Sequence, residues 1–308
     1  MKVALRLVVL IMLISGFVTA RTPAQAAAAC GPATSGIRTL QSGGLERTAR
    51  VYIPASYKGT TAVPLVLSLH GFSSNAAQQE SYSGWDTIAD REGFIAAYPN
   101  GTGTPQRWYA GTTNFTGTST IDDVQFFDDL LASFSDLCID YARIYVTGLS
   151  NGGGMTARLA CERADRIAAV GTVAGAYPIY PLLGADCATA RAIPVITFHG
   201  TADPVVSFNG NPRLQFPPIR TWVEDWAKRN SCTKGPDEIF KQADVTGVAY
   251  TDCAENGDVE FYTIEGGGHT WPGSIPVPEF LLGKTTQTIN ASEAMWTFFA
   301  AHPLPQRP

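Results

Sequence analysis

Residues 148–154 read Gly148-Leu149-Ser150-Asn151-Gly152-Gly153-Gly154, between the apolar run Ala142-Arg143-Ile144-Tyr145-Val146-Thr147 and the segment Met155-Thr156-Ala157-Arg158-Leu159-Ala160. Four glycines around one serine suit a strand-to-helix turn too sharp for residues that carry a Cβ. That is the nucleophile-elbow pattern G-x-S-x-G. In a chain with 30 glycines the five-residue pattern alone carries little weight. Its surroundings decide what it means.

Those surroundings alternate between strand and helix. Gly36–Leu40 and Thr48–Ile53 flank a QSGG turn signal and predict an opening antiparallel hairpin. Pro64–His70 (PLVLSLH), Gly93–Tyr98, Arg143–Thr147, Ile167–Val173 and Pro194–Phe198 are short, nearly continuous apolar runs, the pattern of strands buried on both faces. Helical spacing marks 121–137, 151–163, 219–230 and 290–301, and Val259–Ile264 reads as a last strand. The expected fold class is α/β. It is a single α/β domain over 30–302, with a mostly parallel sheet flanked by helices and an N-terminal hairpin. Residues 303–308 form a short tail. Segments 99–120 and 203–217 are irregular and are expected to be substrate-facing loops.

Ser150 now has a strand before it, a helix after it and glycine on both sides. In such a fold the acid and then the histidine follow in order, each on a loop after a strand. Asp203 lies just past the strand 194–198, and His269 lies in the glycine-rich stretch Glu265-Gly266-Gly267-Gly268-His269 past the strand 259–264. Ser150, His269 and Asp203 are therefore the expected nucleophile, base and orienting acid. The backbone N–H groups of Phe72 and Asn151 are the expected oxyanion donors. His70 and His199 are expected to order their loops by hydrogen bonding. Asp122 and Asp123 begin a helix, where carboxylates favour the N-terminus, and a structural role beneath the site is also open.

The opening 26 residues have the form of a secretory signal: Lys2 and Arg6, then an apolar core from Val8 to Val18, then small residues with cleavage expected within 26–29. A lipidated Cys30 is a weaker alternative, because the apolar core ends well upstream of it. The whole chain has 22 Lys and Arg against 27 Asp and Glu. Loss of Lys2, Arg6 and Arg21 with the leader leaves 19 against 27, a net charge of −8. With no basic run and no later span long enough for a membrane, neither nucleic acid nor bilayer is an expected partner. A monomer is expected. Six cysteines in a secreted chain predict disulfides, and with no C-x-x-C pair and four scattered histidines no metal site is expected. Cys138 and Cys161 both belong at the bottom of the sheet and are the first expected pair. Cys232 pairs with Cys253 across one irregular segment, and Cys30 pairs with Cys187 by elimination.

Leu69–Phe72 (LHGF), Ile121–Phe127 (IDDVQFF), Tyr145–Cys161 (YVTGLSNGGGMTARLAC), Phe198–Val206 (FHGTADPVV) and Gly266–Gly273 (GGGHTWPG) occur in that order. Together they resemble the secreted esterases of carbohydrate esterase family 1, which include feruloyl esterases, acetylxylan esterases and the poly(3-hydroxybutyrate) depolymerase-like group. The resemblance spans about residues 36–301. It implies an α/β-hydrolase, a serine acyl-enzyme and no cofactor. Trp108, Tyr109 and Phe115 in loop 99–120, Trp85 beyond the oxyanion loop and Trp271 beside His269 are candidate aromatic contacts to a substrate. Plant cell-wall hydroxycinnamoyl esters are the first expectation, followed by acetylated xylan and a hydroxyalkanoate. An acyltransferase, or a carbohydrate-binding protein that has lost catalysis, are the readings from other classes.

Overall fold

The computed structural model describes residues 30–111, 120–177, 187 and 190–305. The expected leader, residues 112–119 with Phe115, and the last three residues of the tail lie outside the described residues. Strands β1 (Gly36–Ser42) and β2 (Leu45–Tyr52) form the expected hairpin. Its turn is made by Gly43 and Gly44, both at positive φ, which an L side chain avoids. Then come β3 (Val63–Leu69), α1 (Ala76–Ser83), α2 (Trp85–Glu92), β4 (Ile95–Pro99) and α3 (Asp123–Ser133). The centre of the chain supplies β5 (Ile139–Leu149), α4 (Asn151–Glu162), β6 (Ala169–Val173), β7 (Val195–Gly200) and α5 (Ile219–Arg229). The last part holds β8 (Lys234–Gln242), β9 (Val245–Thr251), β10 (Val259–Ile264), α6 (Glu279–Leu282) and α7 (Ala291–Ala301).

All ten strands join one sheet in the order β1-β2-β4-β3-β5-β6-β7-β10-β9-β8. Neighbours from β4 through β10 pair in parallel, and the two flanking hairpins are antiparallel. Successive residues of the central strands feed opposite cores. Leu65, Leu67, Ile144 and Val146 pack with α3, α4 and α5. Val66, Tyr145, Ile196 and Phe198 pack with α2 and α7. Burial on both faces is why these strands appear in sequence as unbroken apolar runs.

The structure departs from expectation at one edge and in two disulfides. Segment 234–251 is the hairpin β8–β9. It carried no strand signal because β8 is almost wholly exposed and reads Lys234-Gly235-Pro236-Asp237-Glu238, with no apolar alternation. The disulfides are Cys30–Cys138, Cys161–Cys187 and Cys232–Cys253. Only Cys232–Cys253, at the base of the hairpin, was expected. The pairs Cys138–Cys161 and Cys30–Cys187 are overturned, and the Cys30 disulfide excludes its lipidation. Cys138 and Cys161 do lie at the same depth, but depth does not fix lateral position. The Cys138 amide donates to Tyr57 Oη at 2.8 Å, and its carbonyl accepts from Val63 N at 2.8 Å, on the β3 side. Cys161 ends α4 and meets Cys187, whose carbonyl accepts from Arg229 Nε of α5 at 2.9 Å. Mass spectrometry of a non-reducing peptide digest should recover exactly three cross-linked species, 30–138, 161–187 and 232–253; a 138–161 species would contradict the structure.

Candidate active site

β5 hands over to α4 through one residue. Ser150 has φ 56° and ψ −118°, a conformation costly for any residue with a Cβ. Hydrogen bonds hold it on two sides. Its N–H donates to Val173 O of β6 at 2.9 Å, and its carbonyl accepts from Ala176 N at 2.9 Å and Gly154 N at 3.0 Å. The glycines make room for the turn. A Cβ on Gly148 would lie 2.4 Å from the Gly152 carbonyl, and one on Gly152 would lie 2.3 Å from Leu69 O at the end of β3. The loop after β3 then passes over the serine, so that a Cβ on Gly71 would meet Ser150 Cβ at 3.4 Å.

That loop is fixed by His70, which is fully buried. Gly101 N donates to Nε2 at 2.9 Å, so the ring hydrogen is on Nδ1, which donates to Gly71 O at 2.7 Å. Burial pushes the imidazole below its ordinary pKa, and the ring stays neutral. The His70 carbonyl accepts from the Trp108 indole N–H at 2.9 Å. The Asn151 side chain grips the Trp108 backbone at two points, accepting from its N–H at 2.7 Å and donating to its carbonyl at 3.0 Å. Asn151 opens α4, so its own amide has no acceptor within the helix. Ser73 N donates to Gln106 O at 2.8 Å and ties the loop to segment 101–107.

Beneath this, the two adjacent acids divide. Asp122 caps α3, accepting from Val124 N and Gln125 N, both at 3.0 Å. Asp123 turns inward, with its side chain fully buried. It accepts from Arg47 Nη2 and from Tyr109 N, both at 2.8 Å. The Arg47 guanidinium lies 3.7 Å from the centre of the Phe126 ring. Neither Arg47 nor this partnership left a sequence signal, because the two residues are 76 positions apart.

The other half is built by the loops after β7 and β10. Asp203 Oδ1 accepts from Val205 N and Val206 N, both at 2.8 Å, and Oδ2 faces His269 Nδ1 at 2.8 Å. The loops are stitched together by Thr201 N to Ile264 O at 2.9 Å and Ala202 N to Gly267 O at 3.0 Å. His269 N donates to Leu282 O at the end of α6, at 2.6 Å. Burial pushes the Asp203 carboxyl up, but hydrogen bonds from His199 and His269 outweigh it and hold the group well below the usual carboxylate range. No hydrogen bond joins Ser150 to His269 among the described residues. Beside His269, Tyr82, Leu149, Trp271, Val277 and Leu282 line a small, mostly apolar cavity.

The aromatic candidates separate. Trp85 is fully buried between Phe94 and Phe299 and belongs to the core. Trp108 is also buried, stacked over Phe126, and serves the site from beneath. Both were expected to contact substrate, and neither offers a face for it. Tyr109 is half-buried, and its hydroxyl accepts from Arg107 Nη2 at 3.2 Å. Trp271 donates its indole N–H to Ser292 Oγ at 3.0 Å while lining the cavity. Phe72 is exposed on the loop over Ser150.

A parallel sheet in which a central strand runs into a serine on a left-handed turn is the hallmark of α/β-hydrolases, and the chain is a member of that class. Within it, the chain belongs to the esterase PHB depolymerase family of carboxylic ester hydrolases, whose model matches residues 48–215. It is 34% identical over 229 residues to feruloyl esterase B of Piromyces equi, covering 71% of this chain but only 42% of that protein. It is 30% identical over 276 residues to a probable feruloyl esterase C of Aspergillus niger, covering 85% of this chain and 88% of the relative. In fold it is similar to an acetyl xylan esterase from Aspergillus awamori, with a TM-score of 0.63 at 14% identity, covering 86% of this chain and 99% of that one.

The two acids of α3 should separate in a urea titration. Asp122→Ala loses a helix cap and should cost about 1 kcal/mol. Asp123→Ala strands a buried guanidinium and should cost about 3–5 kcal/mol.

Proposed function

We propose that the chain is a secreted, monomeric esterase that hydrolyses carboxylic esters through Ser150, His269 and Asp203, acting on hydroxycinnamoyl esters of plant cell walls. The Asp203–His269 pair, held on two stitched loops beside a strained serine turn, is the observation that carries it. His269 takes the Ser150 proton as Ser150 Oγ attacks the ester carbonyl. The amides of Phe72 and Asn151 receive the oxyanion. The alcohol leaves with the proton from His269, and water then enters by the same route to release the acid and restore Ser150. Asp203 accepts from Nδ1–H throughout, which fixes the tautomer and stabilises the imidazolium. The feruloyl preference is supported by the relatives named as feruloyl esterases, one of them matched over nearly its full length. Secretion is supported by the leader-like sequence and by the pairing of all six cysteines as disulfides.

A second reading is an acetyl esterase of xylan, in which a short acyl group lies against the apolar lining of the small cavity beside His269.

Hydrolysis of methyl ferulate and of naphthyl acetate by the wild type and by Ser150→Ala separates these. Efficient cleavage of methyl ferulate, lost by about 10³-fold or more in Ser150→Ala, is the expected outcome. Cleavage of the acetate alone moves the substrate to acetylated xylan or a hydroxyalkanoate. Activity surviving in Ser150→Ala removes the serine mechanism.

The low carboxyl pKa of Asp203 also sets a sign. A depressed acid contributes stability that is fully present above its unfolded pKa, about 3.9, and is lost as pH falls through the folded value. Wild type should therefore exceed Asp203→Asn in urea stability at neutral pH, and the gap should close as the solution is acidified below about pH 4. A gap that widens on acidification would contradict this assignment of charge.

A further inference from the structure

One buried histidine remains outside that mechanism. His199, near the end of β7, is 1% exposed. Its Nε2 lies 2.8 Å from Val206 O and 3.4 Å from Asp203 Oδ2. Both neighbours are acceptors, so Nε2 carries the hydrogen, bonds to Val206 O and lies against Asp203 Oδ2. Nδ1 is then a bare acceptor, buried and without a hydrogen-bond partner among the described residues. Nothing there would receive a hydrogen, so the ring's donor is Nε2–H. The ionisable groups around it are Asp203 on its own loop and His269 on the loop after β10. Lys284 lines a small cavity with His199 but is paired with Asp244 at 2.9 Å, and Phe208 meets the ring edge-on.

Asp203 therefore serves two imidazoles. Two backbone amides hold Oδ1, while Oδ2 is shared between His269 at 2.8 Å and His199 at 3.4 Å. We propose that His199 is a positioning residue for the Asp203–His269 pair: its N–H fixes the carboxylate plane and draws negative charge from the oxygen that His269 uses. The inference rests on the esterase reading above. Without His199, Oδ2 has one donor left and its full charge faces His269. The carboxylate then favours imidazolium more strongly, and His269 loses its free lone pair at a higher pH. The acid limb of the kcat/KM profile should move upward, an effect that loss of packing alone does not produce.

The test measures kcat and KM for 4-nitrophenyl acetate across roughly pH 4 to 9. It compares the wild type with His199→Leu, His199→Gln, His199→Asn and Ser150→Ala, each checked for folding by thermal melt. In His199→Leu, kcat should fall about 10–100-fold with little change in KM. Its acid limb should move up by roughly half a pH unit or more. The glutamine amide reaches the place of Nε2 and should restore both quantities. The shorter asparagine amide reaches only the Nδ1 position and should not. If His199→Leu fails to fold, the glutamine–asparagine comparison decides alone. An unmoved acid limb in the folded leucine or asparagine variant, or no restoration by glutamine, overturns the inference and leaves His199 a packing residue. Activity retained in Ser150→Ala overturns the esterase reading beneath it, and the inference with it.

Discussion

Ser150 is kept in a backbone conformation that an L-residue avoids, at a cost of order 1–3 kcal/mol, and much of the fold is arranged to maintain it. The turn survives because its N–H and carbonyl are both committed, one to β6 and the other to the residues beyond β6 and to α4. It also requires β3, β5 and the start of α4 to approach more closely than side chains allow. Gly148 and Gly152 are there for that reason. Parallel pairing from β4 to β10 then has a geometric consequence. The loops after β3, β5, β7 and β10 all leave from the same edge of the sheet, so Phe72, Ser150, Asp203 and His269 gather without any one loop being long.

The two sides of the site are held by different physics. The serine side rests on a buried polar network: neutral His70, the two-point grip of Asn151 on Trp108, and the Arg47–Asp123 pair beneath Tyr109. Buried polar groups cost several kcal/mol when unpaired, so this network has few alternative arrangements and fixes the loops closely. The histidine side rests on backbone stitching between two loops and on the contact of His269 N with α6. The Asp203 carboxylate is kept charged there by the imidazoles around it.

The parts of this design visible in the sequence were those written in local periodicity and spacing. Central strands such as Pro64–Leu69 and Val195–Phe198 announce themselves because burial on both faces demands unbroken apolar runs. The turn at Ser150 and the contact between Asp203 and His269 were legible because a sharp turn needs glycine and because both residues lie just past strands. What was not legible depended on lateral position or on distant partners. Cys138 bonds to Cys30 and Cys161 to Cys187, partners that no local pattern marks. Trp85 could not be told from an exposed aromatic without knowing that Phe94 and Phe299 enclose it. Strand β8 has the composition of a loop because nothing covers it. Asp123 reads as a second capping acid until Arg47 arrives from β2.

The anchoring of the two ends of the described chain has a consequence for architecture. Cys30 is bonded to Cys138, just before β5 begins, and Leu304 N donates to Ala142 O in the early part of the same strand, at 2.7 Å. Both ends are thus moored at the base of the sheet, opposite the edge where Ser150 and His269 sit. Anything joined to either end would hang from the floor of the domain and leave the opposite edge of the sheet open.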